Sequence, residues 1–268
     1  MKNLLLLVHD DAGQEARLQV ALDLARALEG HLTCLDVAFM PQMVGDYAAL
    51  GGQALLLAEE RAAEAANATR LKARLAREGV AFEWRNVAGD PAQCLKEAAR
   101  LSDLIILSRA LESAPYPNMA DVAATVLTEA LLPVLAVPEQ ALGMNVGGEA
   151  LIAWDGSREA ESALKAALPL LARARRVTLL HIGEGVIAVA PEQAALYLSR
   201  HGIHVEVRLE PADSRRIGPR LIAEAAQGVD YLVMGGFGNA RWLEAIFGGA
   251  SASALAHAPV PVLMARGH

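Results

Sequence analysis

Two phrases of this 268-residue chain occur twice, in the same order. Asp103-Leu-Ile-Ile-Leu-Ser returns as Asp230-Tyr-Leu-Val-Met-Gly, and Leu132-Pro-Val-Leu-Ala-Val returns as Val260-Pro-Val-Leu-Met-Ala. The separations Asp103 to Pro133 and Asp230 to Pro261 differ by one residue. Matched order and spacing point to an internal duplication. Within each copy, short apolar runs alternate with Ala/Leu-rich segments of helical period. The first copy predicts strands at 4–8, 32–37, 80–86, 104–107 and 134–137. Helices are expected between them at 14–28 (ended by Gly30), about 53–77, 91–100 and 122–131. The second predicts strands at 151–154, 177–181, 204–209, 231–234 and 262–265, with helices at 157–174, 191–201, about 218–226 and 251–257. Apolar runs without alternation, each followed by a helix, indicate parallel strands covered on both faces. The expected fold is α/β: two tandem domains, each an open five-stranded parallel sheet with helices on both sides. The glycine-bearing stretch 139–149 reads as a linker, which places the domains at 1–138 and 150–268. The first copy carries an extra segment through 39–56.

Composition narrows the function. Hydrophobic residues make up 54% and charged residues 21%, enough to bury sizeable cores. Aromatics at 4% disfavour base-stacking platforms. A net charge of -7 argues against a broad basic face, so neither nucleic acid nor an anionic membrane is an expected partner. The opening apolar run is too short for a signal segment, and Asp10 and Asp11 follow at once. No run approaches the ~20 residues needed to span a bilayer. A cytoplasmic protein is expected. Cys34 and Cys94 are isolated and read as buried structural thiols. The seven histidines show no metal-binding spacing, and His201 and His204 read as surface residues, so no metal site is expected. Phosphate-loop, dinucleotide and nucleophile-elbow motifs are all missing from the sequence, and no catalytic residues are predicted.

Ligands of open parallel sheets sit beyond the carboxyl ends of the strands. In the second copy those ends carry Asp155-Gly156-Ser157, Ile182-Gly183, Gly235-Gly236-Phe237-Gly238 and, opening the last helix, Gly248-Gly249-Ala250-Ser251. Glycines let backbone approach a phosphate chain, and helix N-terminal amides attract anions. Asp155 would accept hydrogen bonds from a base or sugar. Each phrase alone also reads as a plain turn or helix cap; their joint placement favours a ligand. Asp213, Arg215 and Arg216 share this edge, as ligand contacts or as solvated turn residues. His181 reads as a core or site-lining residue. Met40, Met43 and Tyr47 in the extra segment read as apolar packing or a lid.

The chain resembles a tandem universal stress protein, two family domains in one polypeptide, over nearly its whole length. The resemblance rests on Gly235-x2-Gly238-x9-Gly248 after the fourth strand of copy two, with Gly249 where the family has Ser or Thr. It implies an adenine nucleotide alpha hydrolase-like fold that binds ATP, alone or with Mg. By it, Asp155 would contact adenosine and Ile182 adenine. Met234, Gly235, Gly238, Gly248, Gly249, Ala250 and Ser251 would surround ribose and phosphates. Gly249 loses a hydroxyl donor worth about 0.5–1.5 kcal/mol, roughly tenfold in affinity. Copy one has Ser108-Arg109-Ala110-Leu111 at the corresponding place and His9-Asp10-Asp11 for the Asp-Gly-Ser phrase, so it reads as degenerate for nucleotide. Arg109 is expected in solvent or on an anion. The implied function is a nucleotide-dependent regulatory module of the stress response; a slow ATPase and a nucleotide-free scaffold are the alternatives. Family members pair their last strands, which implies an intramolecular pseudo-dimer through 134–137 and 262–265; a further homodimer is also conceivable.

Overall fold

The computed structural model describes residues 1–39, 52–112, 117–183, 187–211, 217–236 and 250–267, with backbone alone for 52–56. The N-terminal half runs β1 (Asn3–Val8), α1 (Gln14–Leu28), β2 (His31–Phe39), α2 (Gly52–Leu75), β3 (Ala81–Gly89), α3 (Pro91–Ala98), β4 (Leu104–Ser108), α4 (Met119–Glu129) and β5 (Val134–Val137). The C-terminal half runs β6 (Glu149–Ala153), α5 (Arg158–Leu171), β7 (Arg176–Ile182), α6 (Pro191–Arg200), β8 (Val205–Glu210), α7 (Ile217–Ala225), β9 (Tyr231–Gly235), α8 (Ala250–His257) and β10 (Val262–Ala265). The expected strand and helix alternation is present, with element ends shifted by three residues or fewer.

The strands form one sheet rather than two, in the order β3-β2-β1-β4-β5-β10-β9-β6-β7-β8. Pairing is parallel within each half. The junction is the antiparallel pair β5–β10, with Leu135 opposite Leu263. The final strands of the two copies are therefore adjacent, the pairing that the resemblance implies. All eight of their residues are buried.

Side chains alternate between two cores, one on each face of the sheet. Leu4, Leu6, Leu135, Ile152 and Leu263 belong to one, packed under α1 and α5. Leu5, Leu7, Val134, Leu151 and Val262 belong to the other, under α4 and α8. Each core runs across the junction. The doubled aspartates explain why that phrase was repeated. Asp103 accepts from the Lys2 and Asn3 amides at 2.6 and 2.9 Å, and Asp230 from the Glu149 amide at 2.7 Å. Each carboxylate ties the start of its half's first strand to the strand beside it.

Two local expectations change. The left-handed residue that ends α1 is Glu29 (φ 50°), not Gly30. Gly30 instead closes the turn, donating to the Ala25 carbonyl at 2.8 Å. The stretch between β5 and β6 is not a free tether, because Met144 and Val146 are buried in the core beneath α1 and the Met144 amide donates to Asp23. Cys34 is buried and Cys94 half-buried. Burial pushes the Cys34 thiol up to about 12, so it stays protonated.

Candidate functional site

At the carboxyl edge of the C-terminal half, β6, β7 and β9 diverge from α7 and α8 and leave a cleft of about 270 Å³. Its floor is apolar, from Leu180, Ile182, Leu221 and Met234. Its rim is polar, from Asp155, Ser251 and the backbone of Gly235. The expected residues Asp155, Ile182, Met234, Gly235, Ala250 and Ser251 all line it. Gly238, Gly248 and Gly249 lie outside the described residues, as do Met40, Met43, Tyr47, Asp213, Arg215 and Arg216. Ile217 and Leu221, absent from the expected set, enter from α7. Their four-residue spacing on one helix face was the available signal.

The rim is built by a chain of local bonds. Asp155 is exposed and accepts from the Ser157 amide (3.0 Å) and hydroxyl (2.6 Å). Ser157 in turn caps α5, accepting from the Ala160 amide at 3.2 Å. The turn and cap readings of this phrase therefore hold, and Asp155 still borders the cleft. Gly156 has φ 71°, and a Cβ there would lie 2.8 Å from the Val189 carbonyl, so the turn needs glycine. His181 lines the adjoining turn with Nδ1 2.8 Å from the Trp154 carbonyl. A Cβ on Gly235 would meet the Ala160 nitrogen at 2.7 Å, so glycine lets β9 pass close beneath α5. The Ser251 hydroxyl donates to the Gly235 carbonyl at 3.3 Å, tying α8 to β9. Among the described lining residues, Asp155 is the only ionisable side chain, so they offer no base–nucleophile pair.

The same edge of the N-terminal half is filled. By register, Ser108 stands where Gly235 stands, His9 where Asp155 stands and Val37 where Ile182 stands. The guanidinium of Arg17, fully buried, occupies the space between them. It donates to both Asp11 carboxylate oxygens (2.9 and 3.0 Å), to Ser108 Oγ (2.6 Å) and to the Leu7 and His9 carbonyls (both 3.1 Å). Arg109 is also buried, contrary to its expected place in solvent. It donates to the Ala256 carbonyl at 2.6 Å and so straps the turn after β4 to the end of α8.

His9 leads to a polar cluster. Its Nδ1 lies 2.7 Å from Glu64 and 3.6 Å from Glu60, on successive turns of α2, and 3.1 Å from the Val37 carbonyl. Its ring stacks on Phe39, with centroids 3.6 Å apart. Burial opposes charge on His9, but the hydrogen bond and charge of Glu64, helped by Asp11 and Glu60, raise its pKa. Burial likewise opposes charge on Glu64, yet donors from His9, the Asp10 amide and Asn67 lower its pKa. Asp36 is buried against Glu64; burial and then the Glu64 charge push its carboxyl up to about 7.

The fold is α/β of the doubly wound kind, two halves of like topology joined edge to edge. Residues 149–266 match the Universal stress protein family, so the C-terminal half carries a domain of that family. The whole chain shares its fold with a universal stress protein from Archaeoglobus fulgidus DSM 4304 (18% identity, TM-score 0.78, 99% of this chain and 96% of that one). A putative universal stress protein from Pseudomonas aeruginosa UCBPP-PA14 is similar at 18% identity and TM-score 0.61, over 99% and 94% of the two chains. No curated protein matches the sequence. Among the described residues, no helix is long and apolar enough to cross a membrane.

Proposed function

We propose that the C-terminal half binds ATP or a related adenine nucleotide, with Mg where the phosphates need it, and that the N-terminal half does not. The chain then acts as a cytoplasmic nucleotide-dependent regulatory module of the stress response, with domains at 1–138 and 150–268. The observation that carries this reading is the meeting of Asp155, Ile182, Met234, Gly235, Ala250 and Ser251 around one cleft. An apolar slot suits the faces of a purine, and Asp155 at its rim suits ribose hydroxyls or an exocyclic amine. A carboxylate repels phosphates, so these extend away from it, toward Gly235, Gly238, Gly248 and Gly249. The N-terminal edge cannot take the same ligand while Arg17 and Ser108 fill it. With no base–nucleophile pair among the described lining residues, binding rather than turnover is the favoured role.

Titration calorimetry with ATP tests this. One site per chain is expected, and Gly238→Val abolishes it by filling the phosphate approach. Two sites per chain, no binding, or unchanged affinity in Gly238→Val overturns the assignment.

A further inference from the structure

Three carboxylates, those of Glu60, Glu64 and Asp36, gather near His9. Glu60 and Glu64 are four residues apart on α2, so both carboxylates project from one helix face toward the same imidazole nitrogen. One ligand atom from each of His9, Glu60 and Glu64 lies within 4.8 Å of the others. Glu64 is buried and already anchored, accepting from the Asp10 amide at 3.0 Å and from Asn67 at 3.1 Å. Asn67 is held in turn by reciprocal bonds to Gln14 at 2.7 and 2.9 Å. These outer bonds fix the carboxylate without using up all its lone pairs, as supporting groups around a metal do.

Asp36 supplies an independent observation. Its side chain is 3% exposed and faces Glu64. One oxygen accepts from Trp84 Nε1 at 3.3 Å, while the other, Oδ1, is buried with no donor at all. A buried carboxylate oxygen without a donor, set against a second carboxylate, needs either a shared proton or a cation. A cavity of about 440 Å³ between α2 and β2–β3, lined by Asp36, Glu64, Thr69 and Asn86 and by the cationic Arg61 and Lys72, opens beside the pair and leads in from solvent.

We propose that His9, Glu60 and Glu64 form a binding site for one divalent first-row cation, with the Val37 carbonyl as a further oxygen donor and the Asp36 carboxylate behind Glu64 adding to its field. One imidazole nitrogen with several carboxylate oxygens suits Zn²⁺ or Mn²⁺. Binding displaces the proton on His9 Nδ1, leaves the ring proton on Nε2, and releases the displaced proton to solvent. The site lies in the half that the nucleotide reading leaves empty and does not depend on that reading.

The test is equilibrium dialysis of the nucleotide-free full chain against Zn²⁺ and, separately, Mn²⁺, followed by elemental analysis. The expected result is one ion of at least one kind per chain. Affinity should fall at least tenfold in Glu60→Gln and vanish in His9→Gln, and stay unchanged in Glu206→Gln, an exposed carboxylate on β8. Glu60 is only half-buried, so Glu60→Gln is the variant that keeps its fold, checked by circular dichroism. Retention of neither ion by the parent chain overturns the proposal, as does an ion whose affinity Glu60→Gln leaves unchanged.

Discussion

Arg17→Met is the most informative single change in the N-terminal half. The replacement keeps most of the side-chain volume, so the loss it reads is electrostatic. Five acceptor atoms lose a donor, two on Asp11, one on Ser108 and the carbonyls of Leu7 and His9, though Asp11 Oδ1 keeps the Gly13 amide and the His9 carbonyl keeps the Asp11 amide. The Asp11 side chain is only 8% exposed, so its charge is left buried with the Gly13 amide but without its cation. Breaking a buried pair in this way costs about 3–5 kcal/mol, out of a total of about 5–15. The double variant Arg17→Met with Asp11→Asn removes the stranded charge and leaves only neutral acceptors short of donors. It should recover at least half the loss, since neutral groups cost about 1–3 kcal/mol. Urea unfolding followed by circular dichroism measures both. With a slope of about 3 kcal/mol/M, the single variant moves the midpoint down by about 1 M or more. A shift under about 0.3 M in Arg17→Met, or a double variant no more stable than the single one, refutes the claim that this guanidinium neutralises Asp11.

Two further outcomes are expected. Gly235→Val places its Cβ within 2.7 Å of the Ala160 nitrogen, which cannot retreat without moving α5, so it should lose about 1–3 kcal/mol by thermal melting and ATP binding by calorimetry. Burial disfavours the charged Asp103, but the Asn3 and Lys2 amides more than offset it and lower its pKa from 3.8. The stability it contributes is therefore fully present above pH 3.8 and lost as pH falls through the lower folded value. Asp103→Asn should destabilise at neutral pH and flatten the acid limb of the stability curve; an unchanged limb counts against the reading.

The strands were legible because burial on both faces leaves a continuous apolar run with no alternation to misread. Leu4 to Val8 and Leu104 to Leu107 are both of this kind. Sites assembled from strand ends, such as Asp155 with Ile182 and Gly235, were legible because each follows directly from a strand. Arg17 was not. It interrupts the apolar face of α1, and pattern alone reads such an arginine as solvent-facing; only the fold shows that acceptors from β1, β4 and the turn after β1 converge on it. Arg109 failed for the same reason, its partner being 147 residues away. The cluster of His9 with Glu60 and Glu64 leaves no spacing signature, because β1 and α2 meet only after the sheet forms. The edge-to-edge joint was anticipated from the family resemblance, whereas the packing of Met144 and Val146 under the core was hidden in a stretch that reads as punctuation.

The antiparallel joint between β5 and β10 also bears on inheritance. A gene for either half alone would encode a chain with four consecutive core residues along a bare edge, open to pairing with any other strand. The two halves differ at the carboxyl edges of their sheets and agree at their seam. That pattern is visible in the chain: Ser108 takes the register position that Gly235 has in the other half, while Pro133-Val134-Leu135-Ala136 and Pro261-Val262-Leu263-Met264 are nearly the same phrase.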